Sequence, residues 1–86
     1  MALTKAQLKR LRATEPATGN RIEAARRMLG LTQIELAEAT GRSQVYISAV
    51  ERGKYRTVTV DSARPFASAF GCSIEDLFPS SEAVAS

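Results

Sequence analysis

Between Leu31 and Lys54 the chain reads LTQIELAEATGRSQVYISAVERGK, two short apolar patterns at helical spacing with only Thr40-Gly41-Arg42-Ser43 between them. This stretch restricts the fold more than any other. Thr32 with Glu35 is a capping-box pattern, which starts a helix near Gln33 that buries Ile34, Leu36 and Ala37 and stops at Gly41, where a positive φ carries no steric cost. Ser43 caps the next helix, Ile47 and Val50 form its inward stripe, and Gly53 ends it. Two helices joined by a tight turn containing Gly can pack across one another near a right angle. The outer face of the second then protrudes where it can enter a duplex major groove. Ala37 is small where the helices must approach, and Gln44, Val45, Ser48, Ala49 and Arg52 are left facing outward.

The remainder of the chain is also helical in pattern. Thr4 with Gln7 opens a basic helix that runs to about Thr14, with Leu8 and Leu11 on one side, before Glu15-Pro16 ends it. A second helix from about Asn20 to Leu29 carries Ile22, Ala25 and Leu29, and Gly30 stops it. Thr59 can cap a fifth helix bearing Val60, Ala63, Phe66, Ala67 and Phe70, and Ser73 with Asp76 starts a last turn carrying Ile74, Leu77 and Phe78. Pro65 falls inside the fifth helix, where it removes one hydrogen bond and should kink or shorten it. Only Thr57-Val58-Thr59-Val60 alternates as a strand would, and it is too short to decide anything. The expected fold is all-α, divided into a basic helix and hinge at 1–19, a helix-turn-helix domain at 20–79 and a tail at 80–86 that frays.

Composition narrows the function. At 86 residues the chain holds one domain and no large cleft, and its single cysteine, Cys72, with no histidine, leaves disulfide frameworks, common zinc sites and His-dependent catalysis without their residues. The carboxylates are scattered without a nucleophile, a base or a metal cluster to give them a role, so no enzyme, metal or cofactor is expected. No apolar run approaches a membrane span and the first residues are too polar for a secretory signal, so a cytoplasmic protein is expected. Residues 1–56 carry eleven Lys/Arg against five Glu, a net of +6. Residues 57–86 carry one Arg against four Asp/Glu, a net of −3, and the two halves account for the chain's +3. A basic first part and an acidic remainder suit a molecule that turns one side to a polyanion.

The stretch LTQIELAEATGRSQVYISAVERGK, continued to the GCSIEDLF ending, resembles the XRE family of helix-turn-helix proteins, the phage Cro and repressor type, over about Asn20 to Phe78. The resemblance implies a five-helix, lambda-repressor-like domain, here with an extra N-terminal helix. It implies that Gln33 contacts a phosphate and braces Gln44, that Gln44 makes a bidentate contact to adenine, and that Val45 meets a thymine methyl. Ser48, Ala49 and Arg52, which face outward with them, complete the candidate base-reading set; Ser43 and Lys54 match phosphate-contact positions, and Arg42 and Arg56 are further phosphate candidates of this chain. Arg26 and Glu51 match positions where the family places a buried ion pair, a positioning device more than a gain in stability. The chain departs from the family at Arg42, where an aliphatic residue is usual, at Ala49, where a long polar reader is common, and at Pro65. The link from Tyr55 to Val58 is also one residue longer than usual.

Function follows as an expectation: a sequence-specific double-stranded-DNA-binding transcription regulator of prokaryotic or phage type, a repressor or autoregulator acting as a homodimer on an inverted repeat. The apolar residues around Phe70 to Phe78 would be its dimer surface. The alternative is an antitoxin or adaptor whose main contact is a protein partner. Several residues admit two readings. The first helix is either a solvated face or an arm that reaches phosphates or the partner subunit; Tyr46 packs or meets a phosphate; Cys72 is a small buried side chain or a redox sensor.

Overall fold

Hydroxyl caps start five of the six helices among the described residues. In the computed structural model, which describes residues 2–55, 57–80 and 84–85, these are α1 (Lys5–Ala13), α3 (Gln33–Thr40), α4 (Gln44–Glu51), α5 (Val60–Phe70) and α6 (Ile74–Leu77). Their caps Thr4, Thr32, Ser43, Thr59 and Ser73 each accept from the backbone N–H three residues on. The capping box closes in both directions at α1, α3 and α6, so each of these ends satisfies two otherwise orphaned donors. Only α2 (Ile22–Met28) lacks a capping side chain at its N-cap residue, Arg21. There Asn20 Oδ1 accepts the Ile22 N–H at 3.0 Å instead.

One apolar core collects side chains from every helix, with Leu11, Ile22, Leu36, Ile47, Phe66 and Leu77 fully enclosed. Helix α3 lies against α4 and α5, α2 against α4 and α5, and α1 against α2 and α6. The first helix is therefore packed on its own chain. Leu3 and Leu11 belong to the common core, and the Leu3 N–H donates to the Phe70 carbonyl at 2.8 Å. Arg21 fastens the α1–α2 link, donating to the carbonyls of Thr14, Asp76 and Arg12 at 2.8, 3.2 and 3.0 Å. Lys5, Lys9 and Arg10 stay exposed.

Arg12 reaches across to α6 with a fork contact to Asp76, Nε to Oδ1 at 2.7 Å and Nη2 to Oδ2 at 3.3 Å. The Arg12 hydrogen bond holds the Asp76 carboxyl below its ordinary value against the opposing effect of burial, and the Ser73 N–H and hydroxyl act in the same direction as Arg12. A carboxyl with a depressed folded value contributes stability that is present above its unfolded value, about 3.9, and is lost as pH falls through the folded one. Wild-type stability is accordingly expected to drop below about pH 4, and Asp76→Asn to be less stable at neutral pH with a flatter acid limb. Urea titrations at several pH values check this, and an unchanged acid limb would remove Asp76 from the account.

Four features of the fold differ from the sequence expectation. Ile34 is 57 % exposed, because α3 turns Leu36 and Ala37 inward with Gln33 and Thr40 half-buried at the ends of that stripe, and Ile34 falls beside it. Phe70, Leu77 and Phe78 are consumed by the chain's own core and offer little to a second copy. Helix α5 runs through Pro65 for all eleven of its residues, so the missing N–H does not shorten it. Finally, Val58–Thr59 forms a strand, β1, which pairs in parallel with β2 (Val84–Ala85) of the tail, Val58 opposite Val84 and Thr59 opposite Ala85. Cys72 is half-buried, and burial, with the nearby Asp76 charge adding to it, pushes its thiol up to about 11, which leaves little thiolate to react. No helix is long and apolar enough to cross a membrane among the described residues.

Candidate nucleic-acid interface

The turn between α3 and α4 is closed by local bonds. Gly41 takes the left-handed conformation (φ 69°), its N–H and that of Arg42 both meet the Ala37 carbonyl, and Thr40 Oγ1 bonds back to the Leu36 carbonyl at 2.8 Å. A side chain at Gly41 would strain this backbone. Ser43 then caps α4 through Tyr46 N–H at 3.1 Å. Ala37 is buried at the approach of the two helices, as its size requires.

Helix α4 buries Ile47, Val50 and Glu51 and leaves Gln44, Val45 and Arg52 exposed, with Ser48 half-buried. Val45 is 80 % exposed, and the Arg52 guanidinium is held on the same face by Ser48 Oγ at 3.0 Å. Together with Gln33 from α3, these four line a shallow concavity of about 300 Å³. Five of the residues expected from the sequence thus share one surface.

Ala49 does not join them. It is 3 % exposed, since its carbonyl accepts the Lys54 N–H at 3.0 Å while the Val50 carbonyl accepts that of Gly53. This closure brings the chain back over the last turn of α4, and a single methyl at that turn stays below the reach of its neighbours. The outward placement expected for Ala49 is overturned.

Beneath the concavity lies the ion pair. Arg26 meets Glu51 through Nε–Oε2 at 2.7 Å and Nη2–Oε1 at 3.1 Å, with side-chain exposures of 11 % and 3 %. Nη1 donates to the Leu31 carbonyl at 2.8 Å. The hydrogen bond to Glu51 raises the Arg26 value further from neutrality, against desolvation. Gln33 Nε2 is the third donor to this carboxylate, at 3.1 Å from Oε1. Gln33 therefore braces Glu51, where the sequence reading had it brace Gln44; a buried carboxylate is the stronger acceptor for an amide N–H.

Arg42 lies with its guanidinium carbon 5.5 Å from the centre of the Tyr46 ring, and its Nε is buried without a hydrogen-bond partner among the described residues. Tyr46 in turn stacks on Phe66 at 6.4 Å and tilts against Tyr55 at 5.6 Å, which is the packing its helical position implies. Ser43 and Lys54 are exposed beside α4. Arg56 lies outside the described residues.

Two supports of α4 had no signal of their own in the sequence. Asn20 Nδ2 donates to the Val50 carbonyl at 2.9 Å, so one amide starts α2 and holds the end of α4. The Thr18 carbonyl sits so close to Gly53 that a Cβ there would come within 2.6 Å of it. Both contacts join the α1–α2 link to the far end of α4 and are tertiary, beyond what periodicity or caps can register.

The model of a family described as helix-turn-helix matches residues 22–77, the stretch from the start of α2 to the end of α6. No curated protein and no solved structure matches the chain.

Proposed function

The chain belongs to the helix-turn-helix family, a DNA-binding regulator of the XRE type, and on that premise we propose that it is a sequence-specific repressor or autoregulator that binds an inverted-repeat operator as a homodimer. The observation that carries this reading is the shared outward surface of Gln44, Val45, Ser48 and Arg52 along a helix whose other side is locked into the core, with Gln33 of α3 beside them.

In this proposal α4 enters the major groove. Gln44 pairs with adenine N6 and N7, Val45 rests on a thymine methyl, and Arg52, steadied by Ser48, meets guanine O6 and N7, each good bidentate pair being worth about 1–3 kcal/mol of discrimination. Arg42, Ser43, Lys54 and Arg56 take phosphates, which fix register without reading sequence. With Ala49 withdrawn, the set of direct readers is small, and DNA shape supplies part of the selectivity. One such helix reads few base pairs, so a second copy about 34–36 Å along the duplex completes the site. The second copy docks at the concavity between β2, α6 and the start of α5, where Val60, Ile74, Pro79 and Val84 offer apolar surface beside Glu75 and Ser80.

Affinity selection of random duplexes at about 150 mM salt tests the proposal. An inverted repeat with half-sites one turn apart is expected. Salt-sensitive binding to every sequence alike would end it and point to a protein partner instead. With the operator in hand, Gln44→Ala is expected to relax preference at one base-pair position. Lys54→Ala should instead weaken all duplexes equally and reduce the salt slope by about one unit; identical behaviour of the two variants would refute the division between reading and positioning.

A further inference from the structure

We propose that Asn20 is a positioning residue for DNA reading: by holding the last turn of α4 from outside, it sets where Arg52 meets its base pair. This rests on the DNA-reading role proposed for α4 and deepens it. Asn20 precedes the stretch that matches the family, residues 22–77, so the contact comes from outside the matched domain. Its half-buried amide is used at both ends. Oδ1 accepts the Ile22 N–H at 3.0 Å, and Nδ2 donates to the Val50 carbonyl at 2.9 Å. The orientation of the amide is unambiguous, because a backbone N–H only donates and a carbonyl only accepts. A flipped amide would lose both bonds.

The Val50 carbonyl belongs to the closure of α4. It also accepts the Gly53 N–H at 3.0 Å, while the Ala49 carbonyl accepts that of Lys54, the way a helix satisfies its last carbonyls when a left-handed glycine follows. Arg52 and Lys54 stand on either side of that glycine, both exposed, and Arg52 lines the concavity with Gln44 and Val45. Arg26 holds this turn only through the Glu51 side chain, whereas Asn20 grips the backbone itself. The other end of the strut is fixed. Arg21, next to Asn20, donates its N–H to the Leu77 carbonyl at 2.8 Å and its guanidinium to the carbonyls of Thr14, Asp76 and Arg12. Among the described residues α1 and α6 contribute nothing to the concavity, yet through one amide they fix the end of the helix that does. Gln44 and Val45, at the opposite end of α4, are set instead by the Ser43 cap and the turn at Gly41. Loss of the strut therefore falls on Arg52 and spares them.

The test compares the full chain with Asn20→Ser and Asn20→Asp in the same duplex selection, with Arg52→Ala marking the base pair that Arg52 reads. A serine hydroxyl or an aspartate carboxylate can still accept the Ile22 N–H and start α2, but the first is too short for the Val50 carbonyl and the second offers it no donor. At the marked pair both variants should lose roughly 5-fold in preference, with the pairs read by Gln44 and Val45 unchanged. Equal weakening at every position, the result of a merely structural role, would overturn the inference, as would profiles that match the unaltered chain or an Arg52→Ala profile that marks no pair. If the unaltered chain enriches no sequence at all, the DNA-reading proposal falls and takes this one with it. The strut itself is read without DNA. In Asn20→Ser, nuclear magnetic resonance order parameters of the Gly53 and Lys54 amides should fall from about 0.85 towards about 0.6, while that of Ile47 in mid-helix holds. No change, or an equal fall at all three, would remove the strut on which the positioning role depends.

Discussion

Glu51→Ala is expected to lower the free energy of unfolding by about 3–5 kcal/mol, the usual cost of stripping one partner from a buried ion pair. The size follows from what is left behind. Arg26 cannot shed its proton, its side chain is 11 % exposed, and without Glu51 its Nε and Nη2 lose their hydrogen-bond acceptors, leaving Nη1 on the Leu31 carbonyl and only the half-exposed Glu23 carboxylate, 3.8 Å from Nη2, as a charge partner. Gln33 loses its partner as well. The double replacement Arg26→Met with Glu51→Leu should recover much of the loss, since well-packed apolar side chains can substitute for a buried pair. Yet it should not restore DNA selectivity, because α4 and Gln33 would no longer be held in register. Denaturant titration of the three variants measures the first effect. A cost below about 1 kcal/mol for Glu51→Ala, the range of solvated pairs, would mean that the carboxylate is not buried in solution.

Phe66→Ala should cost a similar amount, about 3–5 kcal/mol, through lost transfer energy and the cavity left where the ring was. Phe66 lies in the middle of the core from α5 and is fully enclosed, and it also carries Tyr46, whose ring stacks on it at 6.4 Å. Losing it therefore affects α4 as well as the centre of the domain. Tyr46 would lose one neighbour and rest on Arg42 and Tyr55 alone. Phe66→Leu, which keeps most of the volume, should be much milder. Equal losses for the two variants would show that aromatic stacking on Tyr46, and not filled space, dominates at this position.

The parts of this molecule that could be read in advance are the ones written locally. Thr4, Thr32, Ser43, Thr59 and Ser73 each signal a helix start within four residues of sequence, and all five cap a helix in the fold. The Arg26–Glu51 pair spans 25 positions and could be anticipated only through family resemblance, because nothing in the spacing links two helices that meet in space. Ala49 and Ile34 differ in placement, and Gln33 in its partner, for a common reason. A helical wheel gives the angle of a side chain but not how the following chain folds over it or which carboxylate lies beneath. The pairing of Val84–Ala85 with Val58–Thr59 was illegible because two-residue strands carry almost no pattern. Asn20, read simply as the start of a helix, acquires its second role only when the end of α4 arrives beside it.

The crowding at Gly53 restricts how sequences of this kind can diverge. Its φ of +75° is one barrier to substitution, and the Thr18 carbonyl lying 2.6 Å from any added Cβ is another that has nothing to do with DNA. A mutation at position 53 is thus tolerable only after the α1–α2 link has withdrawn, and the link is free to withdraw while position 53 is still glycine. The two changes are accessible in one order and blocked in the other, so the hinge has to give way before position 53 can change.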